Sequence, residues 1–224
     1  MISESQEAKE NDVEACRARI LSSLRDAREA IRDYRRIAVK DDDFFLEKPA
    51  PELPAEALED VRVYPNRTSM MVDLPHNALV AELGTERGIW ARQIMLRNPP
   101  AELHLFDLSF ELLRADVLGH ALVTIHAGDS SEQLSRMPDG YFDWIYVDGD
   151  HSYRGVKRDI EQSVRKLKAD GILVFNDYTV WSSKSAFPYG VVTAVNELVN
   201  EGWRLCALAL SPNGYWDVAL ARRA

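Results

Sequence analysis

The chain has 224 residues, 46% of them hydrophobic and 28% charged, with a formal net charge of −9. That is room for one sizeable α/β domain with an extension, and enough apolar material for a core without staples. The acidic balance argues against a broad nucleic-acid surface, because phosphate binding needs clustered Lys and Arg.

Two cysteines, Cys16 and Cys206, lie far apart, in segments read as different elements. That pattern argues against a disulfide framework and against a cysteine metal site, and reduced thiols fit the cytoplasm. The start, MISESQEAKEND, is polar and acidic, unlike a secretory signal. No apolar run approaches the roughly 18 residues of a membrane span. The expectation is a soluble, cytoplasmic protein that acts on a small molecule and binds neither nucleic acid nor membrane.

In chain order, Val13 to Val39 reads as one long helix. Val13, Ile20, Leu24, Ala27, Ile31, Tyr34 and Ala38 recur at seven-, four- and three-residue spacings, a narrow heptad-type stripe. Such a stripe packs on its own domain, contacts a second copy in a homodimer, or forms a lid. An acidic break, Asp41 to Asp43, and the proline-rich KPAPELPAE follow, where a regular helix is forbidden. The expected division is an N-terminal helical extension over residues 1–60 and a second domain over 61–224, with a short helix near 55–60.

From residue 78 short apolar runs alternate with amphipathic stretches. The predicted strands are 78–83, 103–106, 123–127, 142–147, 171–175, 203–210 and 215–222. The predicted helices are 85–98, 109–118, 154–168 and 191–201. The last two strands are joined by Ser211-Pro212-Asn213-Gly214, a hairpin turn signal. This alternation predicts a doubly wound, Rossmann-like α/β fold: a seven-stranded, mostly parallel sheet closed by an antiparallel C-terminal hairpin. Ligands of such sheets bind beyond the carboxyl ends of the strands, so those ends are where chemistry is sought.

The first strand ends in Glu82-Leu83-Gly84-Thr85-Glu86-Arg87-Gly88, a turn in which glycines let the backbone approach a ligand. It is not a G-x-G-x-x-G diphosphate loop, because Glu86 holds the middle glycine's place and would repel a diphosphate. A ligand with a cationic or amino-acid portion fits better than NAD. Asp107, followed by Leu108, ends the second strand, where an acid can accept both hydroxyls of a ribose or cap the next helix. Gly128, Asp129 and Ser130 end the third. Asp129 and Ser130 can meet an adenine edge, or cap a helix.

The fourth strand ends in Asp148-Gly149-Asp150-His151, three ionisable groups within four positions. Histidine titrates near neutrality, which suits a general base, although His151 and Asp150 can equally cap the following helix. The fifth strand ends in Asn176-Asp177. Asp148, Asn176 and Asp177 together are an oxygen-only set suited to Mg²⁺. Alternatively, Asn176 and Asp177 only bond loop backbone. Trp181, Phe187 and Tyr189 in the next loop wall a substrate pocket or pack under it.

Taken together, these residues resemble the class I S-adenosylmethionine (SAM)-dependent methyltransferases over residues 78–222. VDGDHSYRGVKRDI followed by LKADGILVFNDY resembles a bacterial branch with macrocin-type O-methyltransferases and cephalosporin-hydroxylase-like proteins. Catechol O-methyltransferase is a more distant relative. The resemblance implies SAM held by Glu82, Gly84, Thr85, Gly88, Asp107, Leu108, Gly128, Asp129, Ser130 and Asp148. It implies Mg²⁺ on Asp148, Asn176 and Asp177, and catalysis by His151 and Asp148. His151 stands where catechol O-methyltransferase has its general-base lysine. The substrate pocket would be bounded by Asp150, Tyr153, Tyr178 and Trp181. The activity implied is Mg-assisted O-methylation of a small-molecule hydroxyl, in natural-product or sugar metabolism. The alternatives are metal-free O- or N-methylation, and a non-catalytic partner subunit of the same fold.

Overall fold

The computed structural model describes residues 4–37 and 49–223. Contacts divide the chain into two units, Met1–Glu47 and Lys48–Ala224.

In the first unit, helix α1 runs Glu4–Ile37. Its stripe residues Val13, Ile20 and Leu24 are exposed. Ala38 and Val39, given to this helix by sequence, and the break at 41–46 lie outside the described residues.

The second unit holds everything else. A 3-10 turn at Ala55–Ala57 leads to β1 (Arg62–Tyr64) and α2 (Arg67–Val72). Then come β2 (Leu79–Leu83), α3 (Ile89–Arg97), β3 (Glu102–Asp107), α4 (Ala115–Leu118), β4 (Val123–Ala127) and α5 (Ser130–Ser135). β5 (Phe142–Val147), α6 (Tyr153–Lys166) and β6 (Leu167–Tyr178) follow. A small ribbon, β7 (Trp181–Ser182) with β8 (Phe187–Pro188), precedes α7 (Val191–Asn200), β9 (Trp203–Ala209) and β10 (Trp216–Arg222).

The main sheet is ordered β1-β9-β10-β6-β5-β2-β3-β4. Only β10 runs antiparallel to its neighbours. The sheet has eight strands where sequence predicted seven, because Arg62–Tyr64 adds beside β9. The stretch 109–118, predicted as helix, is helical only from Ala115. Side chains capture its first turn instead: Ser109 N–H donates to Asp107 Oδ1 at 3.3 Å and Glu111 N–H to Ser109 Oγ at 3.3 Å. Such local bonds compete with helix. Residues 49–60, expected in the N-terminal extension, belong to the second unit, with Ala57 in its core and Asn196 Nδ2 donating to Pro51 O at 2.6 Å.

Two apolar clusters cover the sheet's faces. One includes Leu83, Ile145, Phe175 and Val218 with residues of α6 and α7. The other includes Val80, Trp144, Val174 and Ala219 with residues of α2 and α3. Side chains of a strand alternate between faces. Two residues further along each of those strands, on the same face and toward the sheet's ligand edge, stand Glu82, Tyr146, Asn176 and Asp217. The apolar face therefore ends in polar residues. β2 and β5 are hydrogen-bonded neighbours whose chains turn away in opposite directions, to β3 and to β6. The crevice opens at their carboxyl ends.

Candidate active site

At that crevice lies a cavity of about 890 Å³. Its walls include Glu82, Gly84, Thr85, Asp107, Leu108, Asp129, Ser130, Asp148, Asp150 and His151. The structure thus gathers most of the sequence-predicted site around one hollow. Gly88 and Gly128 lie off its wall, at turns where φ is positive. Asn176 and Asp177 lie behind Asp148 rather than on the wall.

Asp107 organises the floor. Its Oδ2 accepts the N–H groups of Thr85 at 2.8 Å and Glu86 at 2.7 Å. One carboxylate therefore holds the turn after β2 in place. Glu82, 1% exposed, accepts from Thr85 Oγ1 at 3.2 Å. Burial, reinforced by the Asp148 charge, pushes its carboxyl well above the usual range.

Asp129 serves as the helix cap that its alternative reading allowed. Its Oδ1 accepts from Glu132 N and Ser131 Oγ, and its Oδ2 lies 3.3 Å from Arg158. Ser130 Oγ donates to Asp159 at 2.9 Å.

Asp148, His151 and Asp177 meet beyond the ends of β5 and β6. His151 Nε2 lies 3.5 Å from Asp148 Oδ1 and 3.9 Å from Asp177 Oδ2. It is buried and takes part in no hydrogen bond among the described residues. The ring stacks on Tyr189, centroids 4.5 Å apart, and its backbone oxygen accepts from Gly190 N–H at 2.9 Å. Burial, then the charges of Asp177 and Asp217, hold the Asp148 carboxyl well above its ordinary value. Burial also raises Asp177, opposed by His151, Arg67 and Lys184.

Under this trio runs a buried polar layer. Tyr146 OH donates to Asp217 Oδ2 at 2.6 Å, and Asn176 Nδ2 donates to Tyr146 OH at 3.1 Å and Asp217 Oδ1 at 3.4 Å. Burial pushes Asp217 up to about 6. Arg67 reaches in from α2, 3.6 Å from Asp217 and 3.7 Å from Asp177, its guanidinium 5.6 Å from the Trp90 ring centre. Arg67, Trp90, Arg158, Asp159 and Lys184 all border the cavity and were missed from sequence. None follows an apolar strand, the only signal that had been used.

Three of the four residues predicted for the substrate pocket lie off the cavity wall. Tyr153 OH donates to Glu197, Tyr178 OH donates to Asn196 at 2.6 Å, and Trp181 pairs with Pro188 in the β7–β8 ribbon. Asp150 does border the cavity, while its two oxygens accept from Ser152 N and Oγ. Among the described residues, no three or more His, Cys, Asp or Glu side chains converge as a metal site. No described helix is long and apolar enough to cross a membrane.

Asp159 yields a stability prediction. Burial raises its carboxyl from 3.8 to about 6. Between those values the folded protein holds a proton that the unfolded chain has released, so this group's contribution to stability falls as pH rises. About two pKa units correspond to about 3 kcal/mol at most. Asp159→Asn is therefore expected to gain on the wild type, by up to about 3 kcal/mol, between pH 4 and pH 7. Urea unfolding at the two pH values checks it, and a pH-independent difference would refute the buried charge.

A doubly wound sheet with a hollow at its switch point, beside a glycine turn held by an acid, defines an α/β protein with a ligand-sized crevice at its strand ends. The comparisons narrow this. Residues 81–178 match a family model described as a methyltransferase domain. A SAM-dependent methyltransferase from Mesorhizobium loti is similar in fold, with TM-score 0.53 and 17% identity over 70% of this chain and 95% of that one. A tRNA methyltransferase from B. subtilis (TM-score 0.50, 13% identity) shares 70% of this chain and 65% of its own. Spermidine synthase from Thermotoga maritima (0.51, 14%) shares 71% and 57%. This chain thus spans less than two thirds of those two structures. No curated protein matches it. The chain carries a Rossmann-like methyltransferase fold.

Proposed function

We propose that this protein O-methylates a small-molecule hydroxyl with SAM as donor. The observation that carries the reading is His151: an unbonded imidazole nitrogen between two carboxylates, on a residue that borders the cavity. SAM supplies an electrophilic methyl on its sulfonium. His151 Nε2 takes the hydroxyl proton as the new O–C bond forms and the S–C bond breaks, leaving S-adenosylhomocysteine. Asp148 and Asp177 stabilise the imidazolium that results. Asp107 and the turn it holds position the donor, and holding two reactants in line is worth roughly 7–11 kcal/mol. The acceptor of this reading is a sugar or phenol, of the kind found in natural-product or sugar metabolism.

Magnesium fits this site in part. Asp148 and Asp177 offer two hard oxygen donors, and the Asn176 amide donates through Nδ2, which leaves its carbonyl oxygen for an ion. When bound, Mg²⁺ would acidify the acceptor hydroxyl. Calorimetric titration with S-adenosylhomocysteine, followed by a methyl-transfer screen with and without EDTA, tests both parts. Micromolar binding is expected, with turnover at least about tenfold lower in EDTA. No binding removes the cofactor reading; binding with EDTA-resistant turnover removes magnesium alone.

The exposed heptad stripe of α1 is the surface we assign to a homodimer contact. Light scattering is expected to show a dimer that Ile20→Glu converts to monomer. A monomeric wild type would reject this assignment.

A further inference from the structure

The Arg and Lys side chains that border the cavity are Arg67, Arg87, Arg158 and Lys184. The arginines already face carboxylates. Arg67 lies 3.7 Å from Asp177 and 3.6 Å from Asp217, Arg87 3.8 Å from Glu86, and Arg158 3.3 Å from Asp129. Lys184 differs. Among the described residues its ammonium enters no ion pair and donates no hydrogen bond, and it stands 5.0 Å from the Tyr215 ring centre.

The turn that carries this cation is anchored. Lys184 N–H donates to the Tyr215 hydroxyl at 3.1 Å, and the Ser182 and Ser183 hydroxyls lie 3.2 Å and 3.0 Å from the same oxygen. Ser185 N–H donates to Ser182 Oγ at 3.2 Å and closes the turn. Tyr215 is itself only 4% exposed, immediately before β10. One buried phenol thus fixes the root of Lys184 through its backbone and leaves the side chain for a ligand. A cation held this way has less freedom to lose on binding.

Lys184 also acts at the site of chemistry. Its charge draws down the carboxyls of Asp148 and Asp177 against burial, so it stands within electrostatic reach of the pair that flanks His151. An ammonium is a compact point charge that pairs with a carboxylate or a phosphate. Glu82, Asp148 and Asp150 border the same cavity and would repel a doubly charged phosphate more than a singly charged group. One unpaired cation among these acids matches one negative charge.

We propose that Lys184 recognises a carboxylate on the methyl acceptor, which makes the substrate class hydroxy acids, phenolic or sugar-derived, in preference to their neutral counterparts. This rests on the methyl-transfer reading above.

The test is calorimetry on protein loaded with S-adenosylhomocysteine. The probes are dihydroxybenzoate against dihydroxybenzamide, and glucuronate against glucose, with a glucose phosphate as the phosphate arm. The wild type is expected to bind at least one acid about tenfold or more tightly than its neutral partner, the scale of a hydrogen bond to a charged group. Lys184→Gln is expected to bring that pair within about threefold, while Lys184→Arg, which keeps the charge, holds most of the preference. Both variants keep the clamp on Tyr215, because it uses the backbone N–H. If Lys184 only tempers Asp148 and Asp177, Lys184→Gln shifts acid and neutral probes alike and leaves their ratio unchanged, which overturns the proposal. A wild type that prefers neither acid over its neutral partner overturns it too, as does tighter binding of the glucose phosphate than of glucuronate. Failure of the wild type to bind S-adenosylhomocysteine at the outset instead overturns the cofactor reading, and this inference with it.

Discussion

Turnover of the His151→Ala protein is expected to fall by about 10²–10⁴-fold, the range that a positioned general base supplies. The loss should appear in kcat. His151 Nε2 faces Asp148 and Asp177 and is bonded to no part of the turn that Asp107 organises. S-adenosylhomocysteine should therefore bind within about threefold of the wild type. Asp148→Asn is expected to behave alike, losing most turnover while the cofactor still binds. Tyr189→Leu provides a graded comparison: the proton acceptor stays but its stacking partner goes, and a smaller loss is expected. Single-turnover methyl transfer, measured beside calorimetry on the same samples, separates the two effects. Full activity in His151→Ala would assign proton removal elsewhere.

The second large effect is expected at Gly84. Its φ is +85°, and a Cβ placed there would lie 2.1 Å from the Asp148 carbonyl oxygen and 2.6 Å from its carbonyl carbon. Backbone cannot swing aside as a flexible side chain can. Both strands are also pinned nearby, with Gly84 N–H donating to Phe106 O at 2.8 Å and Asp148 N–H to Leu83 O at 2.7 Å. Gly84→Ala is expected to cost about 3 kcal/mol or more, combining backbone strain with overpacking. It should also weaken S-adenosylhomocysteine binding at least about tenfold by prising β2 from β5. Gly140 is the matched control: its φ is +64°, with nothing within 4 Å of a built Cβ. Gly140→Ala should cost only the strain of its conformation, about 1 kcal/mol. Similar losses at both glycines in urea unfolding would show that the close strand contact does not matter.

The strand ends were legible because an apolar run that stops at an acid is a strong, local pattern. That is how Asp107, Asp148 and Asp177 could be placed at one edge before any contact was known. The helix predicted at 109–118 failed because Phe110, Leu113 and Val117 carry helical spacing while Asp107 and Ser109 carry turn chemistry, and spacing alone does not say which wins. Arg67 was invisible for a different reason. It opens α2, capped by Asn66, in a stretch with no ligand signature, and only tertiary packing aims it at Asp177. Asp217 was hidden inside the strand pattern GYWDVAL. Its meaning lies in period-two continuation from Ala219, shared with Tyr146 and Asn176 on strands distant in sequence. Asp129 shows a third limit. Capping and ligand recognition ask for the same residue type at the same turn, so composition there is ambiguous.

The polar layer beneath the crevice bears on how small a working piece of this protein can be. The family match covers residues 81–178, but two charged members of the layer come from outside it, Arg67 before and Asp217 after. A fragment cut to the matched span would keep Asp148, His151 and Asp177. It would lose the guanidinium that faces Asp177 and the acceptor that fixes the Tyr146 hydroxyl. It would also bare the long edge of β6, where β10 now pairs. An autonomous unit therefore has to reach from α2 through β10: the hairpin is a retaining wall for the reaction chamber as well as the end of the sheet.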